Sequence, residues 1–125
     1  MKKYVIIGNG TAAVGCIEGI RTVDKSGKIT VISAENHSVY SRPLISYYLE
    51  GKTDLQRMKY RDDGFYIENG CKVLYGKIAK SIDADKKTVV LDGGEKIQYD
   101  ELCVASGSRP FVPPFEGLET VTNKF

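Results

Sequence analysis

The distribution of apolar and polar positions predicts a strand, a helix and a second strand within residues 4–34. A tyrosine and three β-branched residues fill positions 4–7, which is typical of a buried strand. After a glycine-containing turn, apolar side chains recur at positions 13, 16, 17 and 20, which is the spacing of an amphipathic helix. Polar residues end that pattern, and positions 28–34 form another largely apolar run. This order predicts a right-handed βαβ unit in a parallel sheet.

The middle of the chain predicts two short helices and a third parallel strand. Pro43 suits the first turn of a helix over positions 44–50. Asp62 is a candidate N-cap for a second short helix, which Gly70 would end. The run Cys-Lys-Val-Leu-Tyr at positions 71–75 then predicts a strand.

The segment after this third strand predicts an antiparallel meander where a helix would be usual. Three short β-type segments are separated by tight turns, and a further buried strand then returns to the parallel sheet. These four segments cover positions 77–83, 87–92, 96–99 and 101–105. The predicted architecture is therefore α/β, with a meander as one of its crossovers.

The turn between the first strand and the helix has the residue types that hold a nucleotide pyrophosphate. Gly8 permits a tight turn, Gly10 lets the backbone approach phosphates without a Cβ, and Ala13 lets the helix pack closely on its strand. The helix start offers free N–H groups and the positive end of the helix dipole. Glu35 ends the second strand, where an acidic residue accepts hydrogen bonds from the adenosine ribose. The alternative is a turn that only connects two elements, with Glu35 solvated.

Composition and charge exclude several classes of protein. The chain has 125 residues, of which 42% are hydrophobic, enough for one modest core. Its net charge of +2 comes from 18 basic and 16 acidic residues without a dense basic run, so neither nucleic acid nor a membrane is an expected partner. No segment reaches the roughly 18 apolar residues that cross a bilayer. Three cysteines without a close pair argue against a disulfide scaffold or a metal site and indicate a reducing, cytoplasmic compartment.

The glycine turn, the meander and the returning strand occur in an order found in one flavoprotein family. Residues 105–110 read Ala-Ser-Gly-Ser-Arg-Pro, which is similar to the family's A-T-G-x-x-P with Ser106 in place of the threonine. Over essentially its whole length the chain resembles the FAD domain of the pyridine nucleotide-disulfide oxidoreductase superfamily. This resemblance implies a Rossmann-like FAD/NAD(P)-binding fold in three layers (ββα), with a parallel sheet flanked by helices and an antiparallel β-meander crossover.

A second segment resembles one branch of that superfamily. Residues 39–46 (Val-Tyr-Ser-Arg-Pro-Leu-Ile-Ser) look like a segment of NADH:rubredoxin reductases, of the flavin part of NAD(P)H nitrite reductases, and of ferredoxin reductases from oxygenase systems. Members that work through a cysteine carry one at or near this segment, whereas residues 36–51 contain none. Ferredoxin reductases of this type often have a lysine where this chain has Tyr47. The resemblance therefore implies an electron-transfer enzyme on the rubredoxin or nitrite reductase side.

The resemblance implies FAD as the cofactor and NAD(P)H as the co-substrate of the full-length protein. NAD(P)H would deliver hydride to the flavin, which would pass electrons to an acceptor protein or metal centre such as rubredoxin, nitrite reductase centres or ferredoxin. No catalytic side chain is assigned. The residues assigned to the FAD site, from the glycine pattern and the resemblance, are Gly8, Gly10, Thr11, Ala12, Ala13, Glu35, Arg42, Pro43, Ala79, Ala105, Ser106 and Gly107.

The resemblance also implies that part of the enzyme lies outside this sequence. Family members continue into a second glycine-turn unit for NAD(P)H and an interface domain, and no second glycine pattern of this kind follows residue 13. Residues 1–125 are therefore expected to be a partial FAD-binding domain that is inactive alone. Two alternatives stay open. One is a stand-alone NAD-binding module, which a helical crossover would favour, and the other is a non-catalytic assembly or remnant domain, which would bind no nucleotide.

Overall fold

The computed structural model describes residues 1–36, 44–54, 57–58, 61, 64–108 and 114. No helix in this part of the chain has both the length and the apolar character needed to cross a membrane. In chain order, the described elements are β1 (Lys3–Ile7), α1 (Thr11–Val23), β2 (Lys28–Ser33), α2 (Ile45–Leu49), α3 (Phe65–Glu68), β3 (Cys71–Tyr75), β4 (Ala79–Asp83), β5 (Thr88–Leu91), β6 (Lys96–Gln98) and β7 (Glu101–Val104).

The strands form one parallel and one antiparallel sheet. The parallel sheet has the order β3-β2-β1-β7, and the antiparallel sheet has the order β4-β5-β6. Ile7, at the end of β1, pairs with Ile32 of β2 on one side and with Val104 of β7 on the other. The antiparallel sheet forms the connection between β3 and β7. The predicted βαβ unit and the predicted meander crossover are both confirmed.

Successive side chains of β1 pack on opposite faces of the parallel sheet and so create three layers. Ile6 belongs to the buried core that includes Ile17 of α1 and Tyr66 of α3. Val5 belongs to a second buried core, which includes Leu91 of β5. Because alternate strand residues point to opposite faces, a strand covered on both faces must be apolar without alternation, as Val5, Ile6 and Ile7 are. The predicted three-layer arrangement is confirmed.

Both short helices are shorter than their sequence patterns predict. The helix expected over 44–50 is observed as Ile45–Leu49, with no buried side chain, so tertiary packing does little to extend it. The second helix spans Phe65–Glu68, begins after Gly64 and buries its first two residues. Its predicted N-cap, Asp62, lies outside the described residues. Packing of those two aromatic residues, more than helix propensity, accounts for this single turn.

Arg21 anchors the end of α1 that is remote from the glycine turn. Its guanidinium donates hydrogen bonds to the main-chain oxygens of Asp24 at 3.0 Å and Gly27 at 2.9 Å, which close the turn into β2. A third hydrogen bond, to the main-chain oxygen of Asn69 at 2.8 Å, joins this turn to the end of α3. One side chain therefore holds α1, β2 and α3 in a fixed relation.

Hydrogen bonds to Asp24 in the same turn make the stability of the fold depend on pH. The Asp24 carboxylate accepts hydrogen bonds from the Tyr4 hydroxyl at 2.7 Å and from the main-chain N–H groups of Ser26 and Gly27. These bonds, the one from Tyr4 above all, lower the pKa of Asp24 to about 2. The contribution of the ionised Asp24 to the free energy of unfolding is therefore complete at a pH above the ordinary carboxyl pKa of about 3.9. It is lost as the pH falls through the lowered pKa.

We expect Asp24→Asn to lower the Tm at pH 7 and to flatten the fall of the Tm with pH between about 4 and 2. Thermal unfolding of both proteins over this pH range measures the effect. Tyr4→Phe removes only the hydroxyl donor and should flatten the profile in part. A variant whose Tm falls as steeply with pH as that of the wild type would contradict the role given to Asp24.

Candidate functional site

A groove lies at the edge of the parallel sheet where β1, β2 and β7 end. In open α/β sheets, ligands bind outside the carboxyl ends of the strands. The groove has a volume of about 700 Å³. Its lining residues come from the three strand ends and the start of α1, and they are Gly8, Asn9, Gly10, Thr11, Ala12, Ser33, Ala34, Glu35, Val104, Ala105, Ser106, Gly107 and Ser108.

Gly8 lets the ends of β1 and β7 approach each other closely. A Cβ built at Gly8 would lie 2.1 Å from the main-chain oxygen of Ala105, and its φ of +106° is one that other residues rarely adopt. The main chain on both sides is fixed, because the Gly8 N–H bonds to the oxygen of Ile32 and the Ala105 N–H bonds to the oxygen of Ile7, each at 2.8 Å. Glycine is therefore required here for strand convergence as well as for the turn.

Gly10 immediately precedes α1 and leaves the first turn of the helix open to the groove. Gly10 is the N-cap residue, no side chain caps the helix, and no acidic residue lies in the first turn. The first helical bond runs from the Val14 N–H to the Gly10 oxygen at 3.2 Å, so the N–H groups before Val14 have no intrahelical partner. A Cβ built at Gly10 meets no atom within 4 Å. This helix end can therefore receive an anion against its main chain.

Glu35 is placed beside the groove by main-chain bonds around the end of β2. Its main-chain oxygen accepts hydrogen bonds from the Ser33 hydroxyl at 3.0 Å and from the Gly76 N–H at 3.4 Å. The Lys77 N–H, in turn, bonds to the Ser33 oxygen at 3.0 Å. Glu35 itself is partly exposed at the groove wall. The end of β2 is thus fixed against the start of the meander, which places the main chain of Glu35 beside the groove.

A second pocket, of about 360 Å³, adjoins the groove and shares Gly8, Ala34 and residues 106–108 with it. Its other walls include Lys77 and Ala79, at the start of the meander. The Lys77 ammonium lies 3.0 Å from a Glu95 carboxylate oxygen. The hydrogen bond to Glu95 and the charge of that carboxylate raise the pKa of Lys77. The groove and the second pocket together form one continuous surface from α1 to the meander.

One protein family matches nearly the whole chain. The family described as pyridine nucleotide-disulphide oxidoreductase matches residues 2–125. The chain belongs to this family. The resemblance drawn from the glycine turn, the meander and residues 105–110 is therefore confirmed.

Two relatives and one solved structure that resemble this chain have NADH or NAD(P)H in their names. The chain is 38% identical over 122 residues to the NADH-dependent phenylglyoxylate dehydrogenase subunit epsilon of Aromatoleum evansii. This match covers 96% of this chain and 28% of that protein. It is 38% identical over 119 residues to nitrite reductase (NAD(P)H) of Bacillus subtilis (strain 168), which covers 94% of this chain and 15% of that protein. The crystal structure of NADH:rubredoxin oxidoreductase from Clostridium acetobutylicum superposes with a TM-score of 0.80 at 30% identity, which covers 92% of this chain and 30% of that one. The chain thus spans less than a third of each of these oxidoreductases.

The structure brings together most of the residues that the sequence assigned to a FAD site. Ala79 lines the adjoining pocket instead of the groove. The Ala13 side chain is fully buried in the core beneath α1, and Ala13 is not among the residues that line the groove. Arg42 and Pro43 lie outside the described residues. The assigned residues that line the groove are Gly8, Gly10, Thr11, Ala12, Glu35, Ala105, Ser106 and Gly107.

Several groove residues were not predicted from the sequence because the glycine pattern does not include them. A signal was nevertheless present, since every one of them lies at or just after the carboxyl end of a predicted parallel strand. Asn9 is the one whose side chain is held by another element, through a hydrogen bond from Tyr66. The missed residues are Asn9, Ser33, Ala34, Val104 and Ser108.

Proposed function

We propose that the groove binds FAD and that the chain is the FAD-binding part of an NAD(P)H-dependent flavoprotein oxidoreductase. The uncapped start of α1, in a groove where three parallel strands end, supports this most. A diphosphate at this point would receive main-chain N–H groups and the positive end of the helix dipole. Membership of a pyridine nucleotide-disulphide oxidoreductase family supports a dinucleotide as the source of that diphosphate.

The residues around the helix start fit the diphosphate of FAD. Main-chain N–H groups of residues 10–13 would donate to its oxygens. The open space around Gly10 would admit a phosphate where a side chain would stand in the way. Arg42 and Pro43, in the segment outside the described residues, are assigned beside the diphosphate or the flavin by the family resemblance.

The strand ends fit the remaining parts of FAD. The Glu35 carboxylate would accept hydrogen bonds from the adenosine ribose hydroxyls, and its charge would disfavour a 2′-phosphate. Residues 78–79 at the start of the meander would offer main chain to the adenine. Residues 105–107, at the end of β7, would close over the ribityl and diphosphate. The groove and the adjoining pocket share lining residues, so one extended ligand would contact both.

Bound FAD would supply the redox chemistry, taking hydride from NAD(P)H and passing electrons to an acceptor. The chain would supply position and electrostatics. We propose a metal centre or a small electron-transfer protein as the acceptor of the whole enzyme. The names of the nitrite reductase and NADH:rubredoxin oxidoreductase relatives support this class, as does the lack of cysteine in residues 36–51. The free cysteines of the described part support a reducing, cytoplasmic location.

Visible absorption of the purified chain tests the proposal. We expect a chain incubated with FAD and freed of excess ligand to show the two flavin bands, at about 375 and 450 nm. The same chain incubated with NADH and treated identically is the control, and it should retain less ligand. A folded chain that retains NADH but not FAD would favour a stand-alone NAD-binding module. A folded chain that retains neither would contradict nucleotide binding by this groove.

A further inference from the structure

We propose that Asn9 is a further cofactor-binding residue, which donates a hydrogen bond from its side-chain Nδ2 to the diphosphate, and that Tyr66 positions it. This inference rests on the proposed function, because the ligand is the diphosphate of FAD. Asn9 stands between Gly8 and Gly10 and lines the groove. The glycine pattern allows any residue at this position, so the motif itself gives the Asn9 side chain no role.

Tyr66 fixes the orientation of the Asn9 amide. The Tyr66 hydroxyl donates to the Asn9 Oδ1 at 2.7 Å, across 57 residues of sequence. Tyr66 is only 6% exposed, and its ring meets the Phe65 ring edge to face with centroids 5.5 Å apart. The hydroxyl is therefore held by the packing of α3 against the core. Since the amide oxygen is occupied by Tyr66, the amide nitrogen is the group left to bind another partner.

The Asn9 Nδ2 is a buried donor that lacks an acceptor in the described part of the chain. Leaving a buried donor without a partner costs about 1–3 kcal/mol, and such groups are rare in folded proteins. Exceptions of this kind concentrate at functional sites, where a ligand supplies what the protein lacks. The partner that Nδ2 needs is a hydrogen-bond acceptor.

A phosphate oxygen is the acceptor that fits this position. Asn9 directly precedes Gly10, whose helix start faces the same anion with main-chain donors. Asn9 is partly exposed in the groove, and the χ2 angle of asparagine has a broad distribution. The proposed contact therefore requires a turn about the Cβ–Cγ bond that brings Nδ2 to the groove while Oδ1 stays bonded to Tyr66. The neutral amide would then add a donor without adding a charge.

Asn9→Asp tests this contact because it replaces the donor with an acceptor of the same size. We expect the affinity for FAD, measured by quenching of flavin fluorescence, to fall roughly 30-fold at pH 8. The loss should shrink as the pH is lowered towards 5, because protonation removes the negative charge next to the diphosphate. The wild type should show no such recovery. This pH profile distinguishes a contact with the ligand from a general loss of structure.

Asn69→Asp is the matched control, since it makes the same change at the end of α3, away from the groove. The Asn69 Nδ2 donates to the Phe65 main-chain oxygen at 2.8 Å. This variant should lose stability while its FAD affinity and pH profile stay those of the wild type. Tyr66→Phe should weaken FAD binding several-fold, and that effect should disappear in an Asn9→Ala background, because Tyr66 acts through Asn9.

The outcomes separate this inference from the proposed function. A wild type that binds FAD, together with an Asn9→Asp variant of unchanged affinity at every pH, would overturn the role of Asn9 alone. If Asn9→Asp does not fold, Asn9→Ser decides: a roughly 10-fold loss of affinity without a pH trend supports the contact, and an unchanged affinity overturns it. A folded wild type that binds no FAD would overturn both proposals.

Discussion

Gly8→Ala is expected to lower the free energy of unfolding by on the order of 3 kcal/mol and the Tm by roughly 10 °C. The new Cβ would lie 2.1 Å from the main-chain oxygen of Ala105, and the residue would need a φ of +106°. Neither strand can withdraw cheaply, because the Ala105 N–H is bonded to the Ile7 oxygen at 2.8 Å in the pairing of β7 with β1. Denaturant and thermal unfolding of the two proteins measure the difference.

Gly15→Ala is the matched control for this substitution. Gly15 lies inside α1, and a Cβ built there meets no atom within 4 Å. Alanine should therefore stabilise the chain by about 0.5–1 kcal/mol, because it restricts the unfolded state and favours the helix. If Gly8→Ala were as stable as the wild type while Gly15→Ala gained this increment, the close approach of β1 and β7 could not be a constraint on the fold.

The parts of the fold that could be predicted from the sequence are those whose signals are local. The apolar run at positions 4–7 and the helical spacing that follows it each extend over one element, so β1 and α1 could be placed directly. The meander could be predicted because tight turns separate its short apolar segments. The ends of α2 and α3 could not, because these helices are too short for periodicity to define them and packing decides their length.

The candidate site could be predicted only where its residues follow a motif. The glycine turn and Glu35 have fixed relations to strand ends, so their assignment needed no tertiary structure. The hydrogen bond between Tyr66 and Asn9 depends on how α3 packs against the core, and no sequence spacing encodes it. The steric requirement at Gly8 depends likewise on where β7 returns beside β1. Contacts between distant segments therefore explain the position of the Asn9 side chain and the steric requirement at Gly8, whereas the other missed groove residues lie at the ends of predicted strands.

Gly10→Ala is expected to affect the ligand and not the fold, the opposite of Gly8→Ala. The Gly10 backbone, with φ of −99° and ψ of −164°, is extended and suits alanine. The added Cβ would meet no protein atom within 4 Å, so the Tm without ligand should change by less than about 3 °C. A diphosphate bound to the first N–H groups of α1 would, however, lie against the Gly10 Cα. The methyl group would then hold the phosphates away from those donors.

The affinity of Gly10→Ala for FAD should consequently fall roughly 100-fold, which corresponds to about 2.7 kcal/mol. FAD is titrated against the wild type, Gly8→Ala and Gly10→Ala, and the Tm of each ligand-free protein is measured. Together these values separate a loss of affinity from a loss of stability. Only Gly10→Ala should combine a wild-type Tm with weak binding. At Gly10 the added Cβ would meet the bound diphosphate and no protein atom. Retention of full FAD affinity by this variant would mean that the diphosphate is not held at the start of α1, and would contradict the proposed function.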